Sequence, residues 1–185
     1  MAAQCAVCRV ETDSGQGLNR VGGADVCDPC FLGMAPERVR SRGWGWQIRQ
    51  WQVTNGDGEV IGYGTDATLD LPANTGLHFK CRRKKLWRKL LSLVSPGVAS
   101  GDELFDAHVH VVSKNAATAK MVLADEGVQS IVLDMLGEGS WIELDRTTLR
   151  SHSIRDEYVS EARFSSEMCV LATHIERIRD AGLGA

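Results

Sequence analysis

The sequence predicts an α+β fold: a small four-cysteine zinc module followed by an antiparallel sheet with helices packed on one face. Three observations predict it. Four of the six cysteines fall in the first thirty residues, in two CxxC pairs. From Trp44 onward, strand-like segments come in pairs joined by turn sequences, as antiparallel neighbours require. The strongest helical periodicity comes last in the chain, where it can cover a sheet already built. The division falls at residue 42: residues 1–42 form the metal-binding module and residues 43–185 the α+β domain.

Composition fits this plan. The 185 residues are 43% hydrophobic and 24% charged, with a formal charge of −3, which suits one full core and a small appendage. No apolar run approaches the roughly 18–20 residues that a membrane span needs. The opening MAAQCAVCRVE has no basic stretch followed by an apolar one, so a secretory signal is not expected and the chain reads as cytoplasmic. At 20.2 kDa it is too short for a (β/α)₈ barrel of about 250 residues.

The first cysteines are Cys5, Cys8, Cys27 and Cys30, in the spacing C-x2-C-x18-C-x2-C. A CxxC turn lets two thiolates meet one ion, and two such turns complete a tetrahedron. Four sulfur ligands leave no position for water, so one structural Zn²⁺ per chain is expected. The ion substitutes for a core that thirty residues cannot supply. The alternatives are disulfides, a thioredoxin-like redox pair or free thiols; a redox CxxC belongs after a strand in a βαβ unit, and none precedes Cys5. Gly15, Gly17, Gly22 and Gly23 supply turns, and residues 30–42 read as a short helix with Pro36 in its first turn.

Knuckle, hairpin, knuckle and helix is a treble-clef order. The spacing resembles the zinc module of bacterial Clp-family unfoldases, over about thirty residues with almost no other identity. That resemblance implies a use in protein binding, as a dimerisation or adaptor surface. The chain has no GxxxxGK[ST] phosphate loop, so it implies no ATPase. A simple zinc ribbon fits the spacing equally well.

In the second domain, WGWQIRQWQV alternates, with Trp44, Trp46 and Ile48 on one face, and NGDG at residues 55–58 is a hairpin turn. EVIGYG returns as a second strand; ATLDL and GLHFKC read as two more, separated by PANTG. ELFDAHVHVV reads as the clearest strand, with Phe105, Ala107, Val109 and Val111 pointing one way. NAATAKMVLADEG is a helix with Asn115 as N-cap and Gly127 beyond its end. VQSIVLDML reads as a helix, and SWIEL and TTLRS as a final strand pair. The last helix runs from about residue 156 to 180, with Phe164, Met168, Leu171, Ile175 and Ile178 in one stripe.

Residues 101–123, GDELFDAHVHVVSKNAATAKMVL, resemble a group of uncharacterised bacterial proteins that carry a glycine–aspartate pair, a phenylalanine–aspartate, an alternating valine strand and a helix rich in alanine and leucine. The resemblance extends through Leu144. It implies a bacterial, cytoplasmic or membrane-peripheral protein and carries no catalytic residues with it.

FDAHVH also looks like the D-x-H-x-H strand of metal-dependent amidohydrolases. On a strand, Asp106, His108 and His110 would share one face. Those enzymes need a barrel that this chain cannot build, so the expected reading is a strand with an apolar and a polar face. Cys81, among lysines and arginines, is either a reactive thiol or an incidental strand cysteine, and the second reading is preferred. Cys169, between Met168 and Val170, is expected to be a packed thiol.

The second specific signal is charge. Lys80, Arg82, Arg83, Lys84, Lys85, Arg88 and Lys89 are seven of the 21 basic residues, and none of the 24 acidic ones lies between Asp70 and Asp102. With Trp87 they form a candidate partner-binding patch. If residues 84–94 are helical, Leu86, Leu90, Leu93 and Val94 share one face and most of the charges the other. Such a segment suits a protein groove, an anionic membrane surface or, less well in an acidic chain, a nucleic acid. It also suits a plain amphipathic helix packed on the sheet.

Together these features predict a non-enzymatic, zinc-binding interaction or adaptor protein. The basic segment is its second docking surface, and a homo-oligomer through the zinc module or the last helix is compatible. The alternative is a nucleic-acid-binding regulator that uses the zinc module and the basic patch.

Overall fold

The computed structural model describes residues 3–6, 11–12, 18–21, 24–27, 43–84 and 97–182. Near the N-terminus, β1 (Ala3–Gln4) pairs with β2 (Glu11–Thr12), and β3 (Leu18–Val21) pairs with β4 (Ala24–Cys27), both antiparallel. After these come β5 (Gly45–Thr54), β6 (Val60–Asp70) and β7 (His78–Arg83). There follow α1 (Glu103–His108), β8 (Val109–Ser113), α2 (Ala116–Leu123) and α3 (Glu126–Met135). β9 (Trp141–Asp145), β10 (Thr148–Arg155) and α4 (Glu161–Gly182) complete the fold. The six long strands form one antiparallel sheet in the order β5-β6-β10-β9-β7-β8, which makes the fold α+β as the hairpin pattern predicts.

Alternation along the strands decides which face is dry. Ala67 and Leu69 of β6, Phe79 and Cys81 of β7, Val109 and Val111 of β8, Ile142 and Leu144 of β9, and Leu149 of β10 are all buried. Trp46 and Ile48 of β5 pack against the same core, as expected. The helices cover this face. In α4, Phe164, Met168, Leu171 and Ile175 are fully buried and Ile178 is partly so, which is the stripe read from the sequence. Ser153 Oγ, on the dry side of β10, donates to the carbonyl of Met135 at the end of α3 over 3.1 Å. Each large apolar side chain moved out of water here contributes roughly 1.5–3 kcal/mol.

The β5–β6 hairpin closes as its sequence demands. Asn55 Oδ1 accepts the N–H groups of Asp57 (3.0 Å) and Glu59 (2.9 Å), and Gly58 sits at φ +82°. EVIGYG and ATLDL are not two strands but one, β6, eleven residues long. The glycines that read as a break are spacing for a neighbour: a Cβ at Gly64 would lie 2.1 Å from Cε2 of Trp51 on β5.

The largest departure is at ELFDAHVHVV, which is a helix and then a strand. Asp102 Oδ1 caps α1 by accepting the Phe105 N–H at 2.7 Å, after Gly101 turns the chain at φ +97°. Asp106 then accepts the N–H groups of Ser100 (2.9 Å) and Gly101 (3.2 Å). Burial pushes its carboxyl upward, but these two N–H groups, the Ser100 hydroxyl and the charge of Lys84 outweigh that and hold it below the ordinary value. Side-chain bonds to the backbone therefore override the period-two pattern until Val109.

Asn115 caps α2 as expected, accepting the Thr118 N–H at 3.2 Å. Gly127 does not lie past a single long helix, however. α2 stops at Leu123, Asp125 caps α3 through the Val128 N–H at 3.0 Å, and Gly127 belongs to the first turn of α3. VQSIVLDML is helical as read, and the last helix starts at Glu161 rather than near residue 156. The helix read at residues 30–42 lies outside the described residues, as does the one read at 84–94 apart from Lys84, which is described and not helical. Among the described residues, no helix is long and apolar enough to cross a membrane.

Candidate functional site

Two of the four N-terminal cysteines are described, one from each CxxC pair. Cys5 follows β1 and Cys27 ends β4; both are buried and neither is in a disulfide. The backbone N–H of Cys27 donates to Cys5 Sγ over 3.3 Å. Such a bond favours the thiolate, the form that ligates a metal. The Ala6 N–H donates to Asp25 O at 2.8 Å, holding the first knuckle against the β3–β4 hairpin. The N-terminal hairpins are tied to α4, where Thr173 Oγ1 donates to Ala6 O over 2.9 Å. Cys8 and Cys30 lie outside the described residues. Among the described residues no group of three metal-ligating side chains occurs, and only two of the four predicted ligands are among them. A buried sulfur pair drawn from both CxxC turns fits a thiophilic ion such as Zn²⁺.

The basic run does not stay on one surface. β7 extends through Arg83, so Lys80 and Arg82 point to the side of the sheet away from the helices, while Phe79 and Cys81 enter the core. Lys80 Nζ lies 2.7 Å from Glu143 Oε2 and 4.2 Å from the centroid of the Trp141 ring. Arg83 Nη1 donates to Leu136 O over 3.1 Å, and Lys84 Nζ donates to Asp106 O. Arg82 is exposed. Lys85, Trp87, Arg88 and Lys89 lie outside the described residues.

The face of the sheet away from the helices carries a second arrangement that the sequence did not reveal. Cross-strand register brings Arg49, Asp66, His152, Trp141 and Arg82 into one row across β5, β6, β10, β9 and β7. His152 Nδ1 lies 2.7 Å from Asp66 Oδ1. The His152 ring stands between Trp51 and Trp141, with centroids at 5.8 Å and 6.0 Å. Lys80 adds the cation at the far side of Trp141. Such ladders stabilise a sheet, since neighbouring side chains on one face interact directly. They arise only once β6 and β10 are known to be neighbours, so no local pattern announced them.

The expected strand with Asp106, His108 and His110 on one polar face is corrected by this fold, and the D-x-H-x-H likeness, already set aside, gains nothing from it. Asp106 and His108 are in α1, whereas His110 is on β8, so the three do not share one strand face. Asp106 is committed to the turn at Ser100 and Gly101. Cys81 is fully buried, and burial pushes its thiol up to about 12, which makes it a packed strand cysteine. Cys169 is likewise buried in α4. A cavity of about 870 Å³ lies beside the end of β7, with Lys84, His108, Asp134, Arg155 and Asp156 on its wall.

The fold and these sites define an α+β protein with an antiparallel sheet backed by helices and an N-terminal hairpin module that buries cysteines. Among known proteins the chain matches no family model, no curated protein and no solved structure.

Proposed function

We propose that the protein is a non-enzymatic, zinc-held interaction module, with Cys5, Cys8, Cys27 and Cys30 holding one structural Zn²⁺. The observation that carries this reading is the Cys27 backbone N–H donating to Cys5 Sγ, which ties the second CxxC turn to the first at the Cys5 sulfur. An amide directed at a thiolate supports a metal-bound cysteine by spreading its charge. The ion would fix the N-terminal hairpins on α4 and so present them as a rigid docking surface for a protein partner. A second copy of the chain and an anionic membrane are further candidates. Residues 85–89 extend the basic run as a second docking surface. Four zinc-binding thiols also suit a reducing, cytoplasmic setting.

Elemental analysis of protein purified without chelator tests it. About one zinc per chain is expected, and Cys5→Ser or Cys27→Ser should lower that content. A metal-free native protein would overturn the reading.

A further inference from the structure

We propose that the sheet face opposite the helices binds single-stranded nucleic acid, with Arg49, Arg82 and Arg150 taking phosphates beside the ring of Trp51. This rests on residues other than the zinc ligands, so either reading can fail alone.

The three arginines come from β5, β7 and β10, and all are exposed. Among the described residues none of their guanidinium groups has a hydrogen-bonded or ion-paired partner. The acidic side chains around them are engaged instead. Asp66 faces His152, Glu143 holds Lys80, and Asp70 Oδ1 accepts the Thr148 hydroxyl at 3.0 Å. Asp70 and Asp145 share an outer row with Gly45, Thr148 and His78. The two inner rows therefore carry four cations, Arg49, Arg82, Arg150 and Lys80, against Asp66 and Glu143.

Register sets the reach of the site. Arg49 and Arg82 are four strands apart, about 19 Å at the ordinary strand spacing. Trp141, on β9 between them, is held between His152 and Lys80, whereas Trp51, two residues from Arg49 on β5, is only partly buried and is the ring offered to a base. Unpaired guanidinium groups around the partly exposed Trp51 indole meet the two needs of a single strand, phosphate neutralisation and base stacking. An acidic peptide would use the cations alone and leave the Trp51 indole idle. A duplex hides its base faces from a flat sheet.

The experiment is fluorescence anisotropy of the full, zinc-loaded chain with a labelled mixed-sequence 20-mer, as single-stranded DNA, single-stranded RNA and duplex. At low salt the single strands should bind more tightly than the duplex. The triple variant Arg49→Ala, Arg82→Ala, Arg150→Ala should weaken binding roughly a hundredfold, the loss expected for three solvent-exposed ion pairs. It should also flatten the dependence of log affinity on log salt by about 2. Arg150→Glu alone, at the middle of the sheet, should weaken binding in the same direction, and all variants should melt like the parent chain. Absence of binding, or a preference for duplex, overturns the proposal. So does unchanged affinity in the triple variant, which would place binding in residues 85–89. Displacement of the strand by polyglutamate at matched charge would make an acidic protein the occupant and overturn it too.

Discussion

Arg155 Nη2 donates to Glu167 Oε2 over 2.8 Å, tying the end of β10 to α4. The Glu167 side chain is only 4% exposed, and Arg163, one turn earlier, also reaches it at 3.4 Å. The Arg155 guanidinium lies 5.6 Å from the centroid of the Phe164 ring. Removing one member of such a pair leaves a charge with little water to replace its partner. Glu167→Ala should therefore lower stability by about 3 kcal/mol in urea unfolding. Replacing both Arg155 and Glu167 with methionine should recover most of that loss, because no orphaned charge remains.

What was legible in the sequence follows from how local each signal is. The NGDG hairpin, the Asn115 cap and the α4 stripe all depend on residues within a few positions of one another, and all three appear. The segment at residues 103–112 misled because alternation was judged without its capping bonds, which run from Asp102 and Asp106 to Phe105, Ser100 and Gly101. Gly64 misled for a different reason: the indole that needs its space is on another strand. The same holds for the Trp51–His152–Trp141 ladder and for the three unpaired arginines. They are properties of register, which a single chain read linearly does not display. The cysteine spacing was legible, and the structure adds to it the Cys27–Cys5 bond and the contact with α4.

Stability should fall on acidification through His174. Its Nδ1 lies 3.0 Å from Asp125 Oδ1, Arg177 Nη2 reaches Asp125 Oδ2 at 2.7 Å, and Nε2 is buried without a partner. Desolvation lowers its pKa below the ordinary 6.5; the Asp125 charge opposes this and Arg177 adds to it. The unfolded chain therefore takes up this proton at a higher pH than the folded one. The contribution is fully present above pH 6.5 and is lost as pH falls through the folded value. Thermal melts from pH 7.5 to 5 should show a steeper decline for the parent than for His174→Gln. Equal slopes would remove His174 as the cause.

Cys81 should be inert in the folded protein. Full burial pushes its thiol from 9.0 up to about 12, so almost no thiolate is present at neutral pH. Brief iodoacetamide treatment followed by peptide mapping should leave Cys81 and the buried Cys169 unmodified, and both should react in guanidinium. The linkage has the opposite sign to that of His174. The Cys81 contribution is complete below pH 9.0 and declines as pH rises toward the folded value. Cys81→Ala should therefore flatten the alkaline loss of stability.

The turn before α1 should be sensitive to one methyl group. Gly101 sits at φ +97° with nothing within 4 Å of where a Cβ would stand, so an alanine there meets no steric neighbour and suffers only from its own backbone. Gly101→Ala should cost about 1–2 kcal/mol. Gly56, in the β5–β6 turn, also has open space around it but no positive φ. Gly56→Ala should change stability by less than about 0.5 kcal/mol. Asp106→Ala should cost about 1–3 kcal/mol, because the Ser100 and Gly101 N–H groups lose their acceptor. The Gly101 and Asp106 substitutions act on one turn, so the double variant should lose less than the sum of the two singles. Strict additivity in urea unfolding would show that Asp106 does not hold Gly101 in its strained conformation, and the helical start of residues 103–108 would then need another cause.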